Sequence, residues 1–334
     1  MARTGDGAHR GRYRMIAVLG AFDGFHRGHA LLFERAKALA LPLNLEWGAV
    51  TFDPHPGLFM KAIAATLFTS RERELIRIFL GIPRIVALRF NEDLVHFSPQ
   101  LFWDFLRENI VVDGVVVGRD FRFGYRRTGD VALLERYCRE IDASFLSVDI
   151  LEHFGSKISS SAIRGHVESG QCELAAKELG YPYFIWAEVV HGLGRGKELG
   201  FPTANLNVPS WKLLPADGVY AVAVLAKGKW KVGALSVGKN PTFQDVADVR
   251  VEVFILDYEG DLYEESLPVF FLSRLRPQMR FKDAEQLVMQ IDADTKRVRT
   301  VFRRSFELHP EWYSGFLIGY VEVLTLLGYT VPKD

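Results

Sequence analysis

The sequence predicts a doubly wound α/β domain followed by a small antiparallel β-barrel closed by a C-terminal helix. Three observations carry that expectation. The chain has 334 residues, about two domains at ~150 residues each. Its first half alternates apolar, β-branched runs with stretches of helical period, the pattern of βαβ units around a parallel sheet. From Phe184 onward the segments shorten, alternate with period two and are separated by Gly, Pro and Asn.

In order, Met15–Leu19 is an apolar strand leading into a Gly/Asp/His loop, and Ala30–Leu41 has helical period. Trp47–Phe52 reads as a strand, Arg71–Leu80 as a helix stopped by Gly81-Ile82-Pro83, and Ile85–Leu88 as a strand. Ser98 is placed to cap a helix over Pro99–Glu108, ahead of the β-branched strand Val111–Val117. Ala132–Glu140 and Phe145–Val148 continue the alternation. In the second half Val219–Val224, Trp230–Val237, Val249–Leu256 and Leu267–Leu272 read as strands. Lys227-Gly228-Lys229 and Glu259-Gly260-Asp261 stand where hairpin turns belong, and a helix is expected from about Asp283 to Val301. Between Glu311 and Lys333 the only charge is Glu322. That length just spans a bilayer, but the central Glu, the glycines and the terminal Pro favour a docked apolar helix or a partner-binding surface over a membrane anchor. The expected organisation is a flexible N-terminus (1–14), an α/β domain (15–182), a barrel domain (183–303) and an apolar extension (304–334).

Composition narrows the function. With 41 Lys+Arg against 41 Asp+Glu the formal net charge is zero, which argues against a protein held to nucleic acid or anionic membrane by bulk charge. Hydrophobic residues at 49% and charged residues at 25% are those of a globular protein with real cores. Two cysteines, Cys138 and Cys172, make neither a disulfide scaffold nor a zinc site. Met1–Arg14 has no apolar h-region, so a cytoplasmic protein is expected.

The sharpest chemical feature is the loop Gly20-Ala21-Phe22-Asp23-Gly24-Phe25-His26-Arg27-Gly28-His29, between the first strand and the first helix. In a doubly wound fold that position presents free helix amides to anions. Its glycines permit close backbone approach, and His26 and His29, three apart, face one side and can hold phosphate. A zinc pair or two surface histidines are the plainer readings, and no further ligands stand at zinc spacing. Arg119–Arg127 mixes four arginines with Phe121, Phe123 and Tyr125, stacking rings plus cations that suit nucleic acid as well as a small ring ligand with a phosphate tail; the balanced charge and the nucleotide motifs around it favour the small ligand. In the second half His191-Gly192-Leu193-Gly194-Arg195-Gly196-Lys197 is a plausible phosphate cradle. In Val249–Ile255 the odd-numbered residues form an apolar face, so Glu252 points the other way, with a solvated strand face as the bland alternative.

The F-D-G-x-H-x-G-H loop resembles the nucleotidyltransferase signature with its HxGH box. Thr51–Pro56, Gly118–Gly124 and Ile158–Arg164 then follow in the order found in bacterial bifunctional riboflavin kinase/FMN adenylyltransferases (FAD synthetases). Gly200–Asn205 is similar to the G-x-P-T-A-N motif of riboflavin kinases, and the resemblance covers roughly residues 15 to 303. It implies a Rossmann-like adenylyltransferase domain in which Gly20, Phe22, Asp23 and Gly28 form the nucleotide loop, while His26 and His29 bind ATP phosphates and stabilise the adenylyl transition state. Ser160, Ser161 and Arg164 occupy the S-T-x-x-R motif, with Ser161 replacing Thr. His55 and Asp120 fall on the flavin side, where a buried structural role is equally open. In the barrel Gly194, Arg195, Gly196 and Lys197 hold phosphate, Thr203 meets Mg²⁺ beside Asn205, and Glu252 takes the ribityl hydroxyl proton. Ser236, Phe254 and Glu264 depart from the commoner Asn, His and Gly. The implied partners are riboflavin, FMN, FAD and ATP, without nucleic acid or membrane, with self-association possible through the apolar extension. The alternatives are another HxGH nucleotidyltransferase, or a non-catalytic or single-activity flavin- or nucleotide-binding protein.

Overall fold

The computed structural model describes residues 13–149, 152–153, 156–192, 200–239 and 249–329. Contacts sort the chain into two units, Met1–Ala64 with Leu80–Ile158, and Ala65–Phe79 with Ser159–Asp334.

The first unit contains β1 (Tyr13–Leu19), α1 (Arg27–Ala40), β2 (Glu46–Asp53) and α2 (Pro56–Phe59). The chain then leaves for α3 (Ser70–Phe79), part of the second unit. It returns as β3 (Ile85–Arg89), α4 (Glu92–Val95), α5 (Pro99–Asn109), β4 (Ile110–Gly118), α6 (Val131–Glu140) and β5 (Ser144–Val148), with the short pair β6 (Glu152–His153) and β7 (Ser156–Lys157). Five strands pair in parallel in the order β3-β2-β1-β4-β5. Because both faces are covered, the central strands are apolar through most of their length, and Met15 to Leu19 are all buried. One face of the sheet packs on Phe102, Trp103 and Leu106 of α5 and on Leu134 and Tyr137 of α6. Ser98 caps α5, accepting from Leu101 N at 3.2 Å, as the sequence predicts. The strand order reverses between β1 and β4, so the loops that leave their carboxyl ends flank the crevice where such sheets bind ligands.

The second unit adds α7 (Ser160–Glu168), α8 (Cys172–Leu179), β8 (Phe184–Val190), β9 (Ala204–Asn207), β10 (Gly218–Ala226), β11 (Lys229–Lys239), β12 (Val249–Ile255) and β13 (Ser266–Arg276). Two helices follow, α9 (Ala284–Leu308) and α10 (Pro310–Leu326). The six strands β8 to β13 close into an antiparallel barrel in the order β10-β11-β12-β9-β8-β13. β10 and β11 form the expected two-residue hairpin, with Lys227 (φ 49°) and Gly228 (φ 74°) both left-handed. The second expected hairpin is not one. β12 pairs with β9 and β13 with β8 and β10, so Glu259-Gly260-Asp261 lies in a connection between strands that are not neighbours. α9 starts at its Asp283 cap, which accepts from Gln286 N at 2.8 Å, and runs past Val301 to Leu308. It buries Val298 against Val219, Ala221 and Leu275, and its Asp294 holds Arg276 at 2.8 Å.

The apolar extension is a docked helix. Phe316 of α10 stacks on Phe79 of α3 with centroids 4.2 Å apart and 3° between planes, and also meets Tyr181, Phe184 and Phe270. Gly315 and Gly319 face α3, where a Cβ would come within 2.7 Å of Phe79 and 2.9 Å of Leu75 respectively. Trp230 Nε1 donates to the Tyr313 carbonyl at 2.9 Å, fixing α10 to the barrel. No helix among the described residues is long and apolar enough to cross a membrane. α3 also carries a buried ion pair, Glu72 to Lys212 at 3.0 Å, each side chain 1% exposed. Both ions are satisfied: the carboxylate accepts from Trp186 N and Thr69 N, each at 2.7 Å, and the ammonium donates to the carbonyls of Leu67 and Phe184.

Two candidate active sites

The first site starts from the β1–α1 loop. Gly20 N donates to Val50 O at 3.2 Å, and Thr51 Oγ1 donates to Ala21 O at 2.9 Å, so β2 holds the loop's root. Phe22 (φ 45°) and Phe25 (φ 33°) are both left-handed, a conformation costing about 1–2 kcal/mol per residue. Their rings are fully buried against Phe33, and that burial offsets the strain. Gly20 is required by the same packing, since a Cβ there would meet the Phe22 ring at 2.8 Å.

The loop ends at His26, the cap of α1, whose Nδ1 accepts from His29 N at 3.4 Å. That bond places the proton of the neutral ring on Nε2. The two imidazoles stack 3.7 Å apart at 16°, and the Phe22 ring closes the other side of His29, edge-on at 4.9 Å. Gly28 leaves room for the stack, because a Cβ would stand 3.1 Å from His26 Nδ1. Nδ1 of His29 is buried without a hydrogen bond among the described residues. Burial, and then the neighbouring His26, hold the His29 pKa well below the usual imidazole value. Asp23 is buried in the same loop. The first turn of α1 holds no acidic residue to repel an anion at the helix's amino end.

His55 and Asp120 follow β2 and β4, at the same sheet edge as this loop. His55 caps α2, accepting from Gly57 N at 3.1 Å, while Asp120 is exposed. Beyond it, Arg119 pairs with Asp149 at 2.8 Å and Arg122 with Asp130 at 3.4 Å. Arg126 and Arg127 are exposed on a left-handed turn, φ 51° and 60°. Ser160, Ser161 and Arg164 lie in the first turns of α7, in the second unit. The hydroxyl that caps this helix belongs to Ser159, which accepts from Ala162 N at 3.2 Å. Arg164 donates to the Ala65 carbonyl.

The barrel site is a row of polar residues across three strands. Ser236 of β11 lies opposite Glu252 of β12, and Glu252 opposite Asn205 of β9, so all three share one face. Val251, Val253 and Ile255 are buried while Glu252 is only half-buried, as the alternation predicts. The Glu252 carboxylate makes no hydrogen bond or ion pair among the described residues. Ser236 accepts from Gln278 Nε2 at 2.8 Å, a partner no short motif announces. Phe254 packs edge-on to Phe201 at 5.5 Å, a use for the ring at that position. Thr203 is exposed at the rim of a cavity of about 350 Å³ bounded by Val189, Pro202, Val253, Tyr258 and Tyr263. Gly194, Arg195, Gly196 and Lys197 lie outside the described residues. Neither cysteine offers a nucleophile, since burial pushes both thiols up to about 12.

Known proteins carry both halves of this arrangement. The FAD synthetase family model matches residues 7–162 and the riboflavin kinase model residues 179–302. A bifunctional riboflavin kinase/FMN adenylyltransferase of Listeria monocytogenes is 34% identical over 296 residues, 86% of this chain and 93% of its own. The chain belongs to that family. A relative of the same name from Escherichia coli is 33% identical over 293 residues, 86% of this chain and 92% of its own. A solved structure described as a macrolide-efflux protein from Streptococcus pneumoniae is 33% identical, covers 86% of this chain and 94% of its own, and superposes with a TM-score of 0.78. Within the family frame, the HxGH loop falls inside the FAD synthetase match, and Thr203, Asn205 and Glu252 inside the riboflavin kinase match. The apolar helix α10 lies outside both.

Proposed function

We propose that the chain makes FAD from riboflavin in two ATP-dependent steps, riboflavin phosphorylation at the barrel and FMN adenylylation at the α/β sheet. The observation that carries this reading is the coexistence of two separate, complementary sites: stacked imidazoles over a helix N-terminus at the sheet's switch point, and a carboxylate, unpaired among the described residues, in a polar row on the barrel. The adenylyltransferase module is assigned to 15–182 and the kinase module to 183–303.

At the barrel, Glu252 accepts the proton of the ribityl 5′-hydroxyl as its oxygen attacks the γ-phosphorus of ATP, and ADP leaves. Having no ion-pair partner among the described residues, the carboxylate is available as an acceptor. Among the described residues no three His, Cys, Asp or Glu side chains gather as a metal site. A divalent cation, Mg²⁺ in this reading, would therefore rely on phosphate oxygens with the Thr203 hydroxyl and the Asn205 carbonyl, hard oxygen donors that fit it; it would neutralise phosphate charge. Gly194, Arg195, Gly196 and Lys197 are assigned to the phosphates.

At the sheet, an FMN phosphate oxygen attacks the α-phosphorus of ATP and pyrophosphate leaves. Positive charge is not stored beforehand, because His29 is neutral at pH 7. An arriving phosphate raises its proton affinity, so charge gathers there only when needed. Gly20, Phe22, Asp23, Gly28 and His26 shape that cradle, and Ser160, Ser161 and Arg164 are assigned to the nucleotide phosphates. His55 and Asp120 are assigned to the flavin side. The two free, buried cysteines suit a reducing compartment, the cytoplasm.

The test is incubation with riboflavin, ATP and Mg²⁺ followed by chromatographic separation. FMN appearing before FAD is the expected outcome. Tight flavin binding without turnover overturns the proposal.

A further inference from the structure

Gly192 stands directly against the side-chain amide of Asn205. A Cβ built on Gly192 would overlap the amide nitrogen and carbon of Asn205 and lie 2.8 Å from its Oδ1. The three atoms nearest such a Cβ all belong to this one amide. The backbone at 192 is outside the left-handed region, so an L-residue adopts it without strain. The obstructed group is the end of a short, rotatable side chain, so a methyl at 192 would leave the fold intact and turn the amide out of its place.

The backbone around that amide is held by strand pairing and by a ring stack. Asn205 lies in register with Val190 of β8 and Glu252 of β12. The ring of His191, next to Gly192, stacks on Tyr263 with centroids 3.9 Å apart, pinning the chain just before the glycine. Ser236 and Gln278 close the far end of the same polar row, beyond Glu252. The row is thus bounded at one end by a hydrogen-bonded pair and at the other by a missing side chain.

We propose that Gly192 is a positioning residue of the phosphorylation step, keeping open the space in which the Asn205 amide is held in line with Glu252. In this role it acts through Asn205, the side chain its missing Cβ makes room for. This rests on the reading of Thr203, Asn205 and Glu252 as the kinase site.

The test compares Gly192→Ala, Asn205→Ala and the double variant in the full-length chain. Riboflavin phosphorylation, FMN adenylylation and thermal midpoint are measured for each. For Gly192→Ala the expected result is a kcat for phosphorylation reduced roughly 10- to 100-fold, the scale on which misplacement by an ångström acts. The adenylylation rate and thermal midpoint stay at the wild-type values. The double variant is no slower than Asn205→Ala, because the alanine at 192 has nothing left to displace. The inference is overturned if Gly192→Ala phosphorylates within about twofold of wild type, or if the two losses multiply. A wild-type chain that forms no FMN defeats the reading of the site as well; normal FMN formation with multiplying losses defeats only the role of Gly192.

Discussion

His29 shows how a single side chain is tuned by what surrounds it. Enclosed between the His26 and Phe22 rings, it is kept neutral by burial first and by its neighbour's charge second. The consequence for stability has a definite sign. Its folded pKa lies below the ordinary ~6.5, so the unfolded chain binds the proton more readily. The imidazole therefore costs nothing above ~6.5, and a destabilising increment grows as the pH falls below that value until the folded pKa is passed. Denaturant unfolding at pH 7 and pH 5 should show a loss in the wild type that is smaller in His29→Asn; equal losses would assign the acid sensitivity elsewhere. For chemistry the same residue is decisive. His29→Ala should abolish FAD formation from FMN while leaving FMN formation from riboflavin largely intact, measured on one preparation. Glu252→Gln should give the reverse, and variants that depress both activities equally would contradict two separate sites.

Among the elements, α10 docks on α3 mainly by shape, its Glu322 standing only 3.9 Å off Arg77 at the rim. Two glycines bring α3 close enough for Phe316 and Phe79 to stack. Phe316→Ala should lower stability by about 3–5 kcal/mol, the usual loss for a buried ring, read from urea midpoints at unchanged slope. At Glu264 the gain runs the other way. Its φ of 65° is left-handed, so Glu264→Gly should be neutral or stabilising by up to ~1 kcal/mol, despite glycine's greater freedom in the unfolded chain. How far these elements can be read from sequence depends on how local their cause is. The β1–β5 series, the Ser98 and Asp283 caps and the Lys227-Gly228 turn follow from neighbouring residues, and the structure has all of them. The misread turn at Glu259-Gly260-Asp261 shows the limit: local chemistry signals a turn, but pairing β12 with β9 is settled by barrel closure. The site divides in the same way. The HxGH loop, Thr203, Asn205 and Glu252 stand out in short motifs, whereas Gly192 against Asn205 and Gln278 on Ser236 are contacts between distant segments that periodicity does not encode.

At the scale of the whole molecule, the second unit is assembled from two separate stretches of chain, and its ends are tied together. Removing everything after Arg304 would uncover Trp230, Phe270, Phe184 and Phe79 at once. The truncated chain should self-associate in sedimentation and melt lower than the full chain; an unchanged midpoint in a monodisperse sample would make the helix dispensable. The excursion through 65–79 has a further consequence, for inheritance rather than for folding. A gene fragment beginning at residue 179, where the riboflavin kinase match starts, would encode Lys212 without Glu72 and Phe316 without Phe79. It would bury an ammonium with no counter-ion, a loss of about 3–5 kcal/mol where such pairs are broken. A single recombination crossover between the two halves thus delivers a damaged kinase unless the donor of α3 and the donor of the barrel match. In this chain the two activities should be separable by point substitution but not by one cut, and its lineage should exchange them only as a pair.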